Sequence, residues 1–265
     1  MSNDARTTYL VFDLETIPDG ELLIRTRYPE EGLDPEGAIL RASIEAREKS
    51  GSDFLPITFH LPVALCVAKV GADFRLQAVQ NLDAPRYRPG EIVAQFWKGF
   101  SHYQPRLVTF NGRAFDIPVL EMGAFRYGIS VPLHFAEKYG PRYRYGEAHI
   151  DLLDFMTNFG TTRLAGGLNL LAKLMGLPGK MGIQGADVYD HYRQGRVQEI
   201  NDYCCHDVLD TYFVFLRTRV LTGELTLTDE RRLAHDARDW ITEQSATVPH
   251  LKQYLEHWGE GNPWP

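Results

Sequence analysis

The chain has 265 residues, 44% hydrophobic and 24% charged, an ordinary globular composition with enough length for one large core. Its formal charge of −7, from 35 acidic against 28 basic residues, argues against a nucleic-acid coat protein or a processive duplex binder, both of which need a basic surface. No run reaches membrane-spanning length, the N-terminal MSNDARTTYL has no apolar signal core, and three cysteines (Cys66, Cys204, Cys205) at no zinc spacing fit a reducing, cytoplasmic setting.

In chain order, residues 8–12 (Thr-Tyr-Leu-Val-Phe) are β-branched and aromatic and predict a buried strand over about 8–13. Asp13 and Glu15 follow at spacing two, so both point to one side of the extended chain. Two like charges this close raise one pKa unless a cation sits between them. Taken alone, Asp-x-Glu fits a solvated strand end equally well. Residues 19–56 are a charged insertion in which Asp34-Pro35 caps a helix through Arg47, ending before Gly51. Residues 61–70 and 73–80 read as a hairpin, entered by His60 as a structural histidine. A helix over 91–103 and a strand over 106–110 lead to an Asn111-Gly112 turn, after which Asp116 opens a helix over 116–127. The plain role for Asp116 alone is a helix N-cap.

Residues 148–151 read as the last strand, with Asp151 either a structural strand-end or N-cap residue or a fifth acid beside the others. Helices are expected over 152–158, 168–175, 185–193, 196–220 and 229–245, with a short one after Pro249 and a frayed end over 259–265. Residues 196–219 lack Gly and Pro, and Tyr203 and Asp207 share a face at i and i+4. On the same helix His206 reads as a surface or supporting group and Asp210 as a solvated alternative; Cys204 and Cys205 point apart. Tyr139 to Tyr145 interleaves Arg142 and Arg144 with tyrosines, and Arg86-Tyr87-Arg88 does so more briefly. Such segments can bind single strands through phosphate contact and base stacking, or can be loops with packed tyrosines and solvated arginines. The whole is expected to form one domain, with a helical C-terminal extension over about 222–258. Acids far apart in sequence but placed at element ends are what a two-Mg²⁺ phosphodiester-cleaving site needs.

In this order FDLET, FNGRAFD and YCCHD resemble the motifs of the DEDD superfamily of 3′–5′ exonucleases, in its tyrosine-bearing subclass. The chain is similar to the stand-alone predicted exonucleases related to the proofreading domain of family B DNA polymerases. The resemblance covers roughly residues 8–220, includes LNLLAKLMGLPGK, and is weakest over 19–56 and after 222. The sister branch carries a histidine five residues before the last Asp, where this chain has Asp202.

The resemblance implies an α/β, ribonuclease H-like fold, a five-stranded mixed sheet flanked by helices, in order 3-2-1-4-5 with strand two antiparallel. It implies that Asp13, Glu15, Asp116 and Asp207 hold two Mg²⁺ or Mn²⁺ ions and that Tyr203 orients the attacking water. Thr16, Asn111 and Phe115 resemble positions that meet the terminal nucleotide; Lys180 is a loop lysine that either touches the scissile phosphate or is solvated. The implied partner is a nucleic acid with a 3′ end, single-stranded DNA, cleaved to nucleoside monophosphates. The same acids suit an exoribonuclease or oligoribonuclease, and a degenerate site leaves a binding module. The insertion is expected to border the cleft and restrict it to single-stranded ends.

Overall fold

Alternation along the first strand organises both faces of the sheet. In the computed structural model, which describes residues 6–136 and 140–259, β1 runs Thr7–Pro18. Leu10, Phe12 and Leu14 enter one core, and Tyr9, Val11 and Ile17 enter another, as the two-residue period of a strand requires. The strand outlasts the expected 8–13 because its antiparallel pairing with β2 (His60–Gly71) continues past the acids, to Thr16 opposite Pro62 and Pro18 opposite His60. The register shifts between Glu15 and Thr16. β3 (Leu76–Asn81) pairs antiparallel with β2, while β4 (Arg106–Thr109) and β5 (His149–Asp151) extend the other side in parallel. The order β3-β2-β1-β4-β5 is the expected ribonuclease H-like sheet, with β1 at its centre.

Helices α3 (Pro89–Tyr103) and α4 (Asp116–Tyr127) cover one face, packing Ile92, Phe96, Trp97 and Leu120 on Phe12, Leu65 and Leu107. Trp97 Nε1 donates to the Leu120 carbonyl at 3.1 Å and so fixes α4 against α3. The opposite face is covered by α8 (Val197–Leu221), whose Ile200, Cys204, Val208 and Tyr212 lie in one core with Tyr9, Val11 and Val63. Full burial of each such side chain contributes about 1.5–3 kcal/mol. Helix α8 is buried nearly all round because α9 (Leu227–Ser245) and α10 (Pro249–Glu256) cover its far side.

The segment between β1 and β2 holds two helices, where the sequence suggested one. Helix α2 (Pro35–Ser50) has the expected cap, Asp34 accepting from the Gly37 amide at 2.7 Å, and ends on Gly51 in the left-handed region at φ 77°. The unexpected helix is α1 (Gly20–Arg27), capped by Asp19. Its Gly20 had no role assigned from sequence. It is needed for contact, since a Cβ there would lie 2.4 Å from the Pro35 carbonyl oxygen. Leu23, Tyr28, Ala38, Ile39, Ala42 and Leu55 close a small core between the two helices. Helices α5 (Leu152–Thr157), α6 (Gly167–Leu174) and α7 (Val188–Arg193) complete the chain. Among the described residues no helix is long and apolar enough to cross a membrane. Tyr139 and the expected frayed residues 260–265 lie outside the described residues.

Candidate active site

Asp13 and Glu15 continue the side of β1 that carries Tyr9 and Val11, which is the side α8 covers. Two contacts set the position of α8 on the sheet. Asn201 Nδ2 donates to the Val63 carbonyl at 3.2 Å, and the Cys204 thiol donates to the Asp13 carbonyl at 3.2 Å. With the helix so held, Asp207 reaches the strand acids. Carboxylate oxygens of Asp13, Glu15 and Asp207 lie within 4.8 Å of one another.

The fourth acid arrives from the other face. Asn111 takes the left-handed conformation at φ 66°, and its carbonyl accepts from the amides of Ala114 and Phe115 at 3.1 Å each. Gly112 allows this tight turn, because a Cβ there would sit 2.5 Å from Cβ of Thr109. Phe115, not Asp116, then holds the cap position of α4. Asp116, the first helical residue and buried, accepts instead from the Leu14 amide at 3.1 Å, the peptide N–H between the two acids of β1.

Burial pushes the Asp13 carboxyl well above its ordinary range, and the charges of Asp116, Glu15 and Asp207 push the same way. Glu15 is raised well by burial and then by Asp207 and Asp116. Burial lifts Asp116 to about 7, opposed by backbone amide donors, and Asp207 to about 6, opposed by the Tyr203 hydroxyl and the Lys180 ammonium. Tyr203 is held firmly protonated by burial and by Asp207, Glu15 and Asp13 around it. The donor set is all oxygen, anionic and crowded, which is the chemistry a hard divalent cation relieves. The residues present therefore fit Mg²⁺ or Mn²⁺.

Lys180 is solvent-exposed, yet its charge reaches Asp13, Glu15 and Asp207. The loop that carries it is tied down at each step. Asn169 Oδ1 accepts from the Lys180 amide at 2.9 Å, the Lys173 ammonium donates to the Pro178 carbonyl, and Asp210 accepts from the Gly179 amide. Thr16 shares a 2.8 Å hydrogen bond with His60 Nδ1, and His60 Nε2 lies 3.1 Å from the Leu55 carbonyl, so His60 is the hydrogen-bonded structural histidine expected. Phe115 is half-buried, with Phe54 and His60 as ring neighbours at 6.0 and 6.1 Å.

Other expectations need correction. Asp210 is buried, not solvated, because α10 brings the Tyr254 hydroxyl to it at 2.7 Å. His206 is no surface residue; it is buried against α10, its Nε2 2.9 Å from the His250 carbonyl. Arg142 and Arg144 are engaged rather than free for phosphate, pairing with Glu121 at 3.1 Å and Asp154 at 3.0 Å. Tyr87 is buried on Gln198 and Arg88 pairs with Asp83, whereas Tyr143 and Tyr145 of the longer run stay exposed. Asn169 and Lys173 fall in the LNLLAKLMGLPGK stretch of the resemblance, but their bracing of the Lys180 loop shows only in the folded chain, as does the place of Phe54. Asp151 takes the structural one of its two expected roles, with a wider reach than a cap. Besides capping α5, it accepts from the amides of Asn111 at 3.0 Å and Arg113 at 2.8 Å, and so clamps the turn that delivers Asp116.

Acids gathered on the central strand of a ribonuclease H-like sheet define a nuclease-type fold. The family described as predicted 3′–5′ exonucleases related to the exonuclease domain of PolB matches residues 52–258, well over half of the chain. The chain belongs to that family. The matched stretch contains Asp116, Tyr203 and Asp207 and begins after the two acids of β1, which the sheet brings to them. No curated protein matches the chain.

Proposed function

We propose that the protein is a metal-dependent 3′–5′ exonuclease of the tyrosine subclass, acting on single-stranded DNA and releasing nucleoside monophosphates. The observation that carries this reading is the convergence of Asp13, Glu15 and Asp207 oxygens within 4.8 Å, with Asp116 bonded to the peptide between the first two. Two Mg²⁺ or Mn²⁺ ions held by these four acids would supply the charge that stabilises the attacking and leaving oxygens and would ease ionisation of the attacking water.

The remaining work falls to the chain itself. Tyr203, kept protonated by its surroundings, offers a hydroxyl that orients the water at the scissile phosphate. Lys180, on its braced loop, is placed to meet a phosphate oxygen. In this reading Thr16, the residue after Glu15, and Phe115, the residue before Asp116, meet the terminal nucleotide together with Asn111 at the start of the same turn. The protein's negative charge agrees with a short single-stranded substrate gripped at its end.

The test is degradation of a 5′-labelled single-stranded DNA oligomer in Mg²⁺ or Mn²⁺, with EDTA and Asp13→Ala as controls. A ladder shortening from the 3′ end, lost in both controls, is the expected result. Intact substrate with either metal, for DNA and for the matched RNA, would refute the reading; cleavage confined to the RNA would move the substrate class alone.

A further inference from the structure

Phe54 lies six residues before β2 begins at His60, and 56% of it is open to solvent. A single exposed phenylalanine is unremarkable by itself. This one is held in place on both sides. Its amide donates to the Ser52 hydroxyl at 3.2 Å, and the next residue, Leu55, is only 1% exposed in the α1–α2 core. The ring lies 4.8 Å from His60 at an interplanar angle of 31°, and 6.0 Å from Phe115 at 49°.

The His60 plane is itself locked. The Leu55 carbonyl can only accept, so Nε2 carries the proton and Nδ1 accepts from the Thr16 hydroxyl. One side of the Phe54 ring is therefore backed by a fixed imidazole, while much of the ring remains open. Thr16 follows Glu15 and Phe115 precedes Asp116, so this aromatic group borders two of the four acids.

We infer that Phe54, backed by His60 and flanked by Phe115, is a stacking platform for the unpaired base at the 3′ end of the substrate. The inference rests on the exonuclease reading and adds a recognition element supplied by the segment between β1 and β2. A flat aromatic ligand matches the platform, and base-on-ring stacking contributes about 1–3 kcal/mol per base without demanding a particular sequence. A base can lie on the ring only after leaving its partner strand, so the platform selects frayed or single-stranded ends.

The experiment compares wild type, Phe54→Ala, Phe54→Trp and Phe125→Ala on single-stranded oligomers ending in either a normal or an abasic 3′ nucleotide. Phe125, 86% exposed near the far end of α4, is the control for loss of an exposed ring. On the normal end, Phe54→Ala is expected to raise KM about 5- to 150-fold. Phe54→Trp should restore it and Phe125→Ala should leave it unchanged. On the abasic end wild type should fall to the level of Phe54→Ala. An active wild type whose KM is unmoved by Phe54→Ala, or is moved equally on both ends, overturns the platform and leaves the exonuclease standing. A wild type that cleaves no oligomer and does not change the fluorescence of a 3′-terminal 2-aminopurine overturns both.

Discussion

Asp207 and Asp210 stand one turn apart on the same helix, and burial lifts both carboxyls, to about 6 and about 7. Their surroundings differ in kind. Asp210 receives a hydroxyl from Tyr254 and an amide from Gly179. Asp207 faces Asp13 and Glu15, with only Tyr203 and Lys180 to offset them. A carboxylate whose donors come from the protein holds the fold together. One crowded by its own kind stores repulsion that a ligand must relieve. Residue type and burial alone do not separate these two roles; the sign of the neighbours does.

Substitution can break this contrast most directly at Asp207. Asp207→Asn should cut cleavage about 1,000-fold or more. In metal-free buffer at pH 8 it should raise stability by roughly 1–3 kcal/mol, read by urea melts. A metal-free loss of stability would place Asp207 with the structural acids. Asp210→Ala should do the reverse, costing about 2–4 kcal/mol in the same melts as Tyr254 and Gly179 lose their acceptor. Asp210→Asn should cost clearly less, because its amide oxygen still accepts from Tyr254 and Gly179 and burial already keeps a good share of the carboxyl protonated near neutral pH.

A smaller effect is expected at Tyr203. Tyr203→Phe should slow cleavage about 10- to 100-fold with melting unchanged, whereas a matching loss of stability would mark the hydroxyl as structural. The weakest effect sharpens the contrast through pH. Burial lowers His250 to about 4, so the unfolded chain takes up the proton first. That stability is present above about pH 6.5 and lost as pH falls toward 4. Asp207 and Asp210, raised in the fold, contribute in the opposite sense: their share is present below about pH 4 and lost as pH rises through 6 to 7. His149 and His206, lowered by burial to about 3 and about 4, act in the same sense as His250, so in metal-free melts His250→Gln should reduce the loss toward pH 4 by roughly 1–3 kcal/mol without abolishing it. Mn²⁺ should flatten the alkaline side. An unaltered acid limb in His250→Gln would show that His250 is not one of the groups that take up the proton.

Much of the site could be read before folding because its signals are local. Asp13 and Glu15 sit two apart on a strand, Tyr203 and Asp207 four apart on a helix, and α4 spans the residues its turn and first Asp suggested. What escaped was set by partners distant in sequence. Asp210 looked solvated because Tyr254 lies 44 residues further on. Arg144 looked free because its Asp154 partner is joined to it only by the fold. Asp151 looked like an ordinary cap because the amides of Asn111 and Arg113 come from a loop about 40 residues earlier. Helix α1 escaped because a glycine needed for close packing has the same letter as one that ends a helix.

The bond from Cys204 to Asp13 closes 191 residues of chain. Non-local closures of this kind come late, since loop entropy is spent before any contact repays it. During synthesis the acids of β1 (Thr7–Pro18) leave the ribosome well before α8 (Val197–Leu221) is made. An unfinished polypeptide, still tethered to the message that encodes it, thus carries the first two acids without the third. The carboxylates of Asp13, Glu15 and Asp207 come together only after α8 has been made.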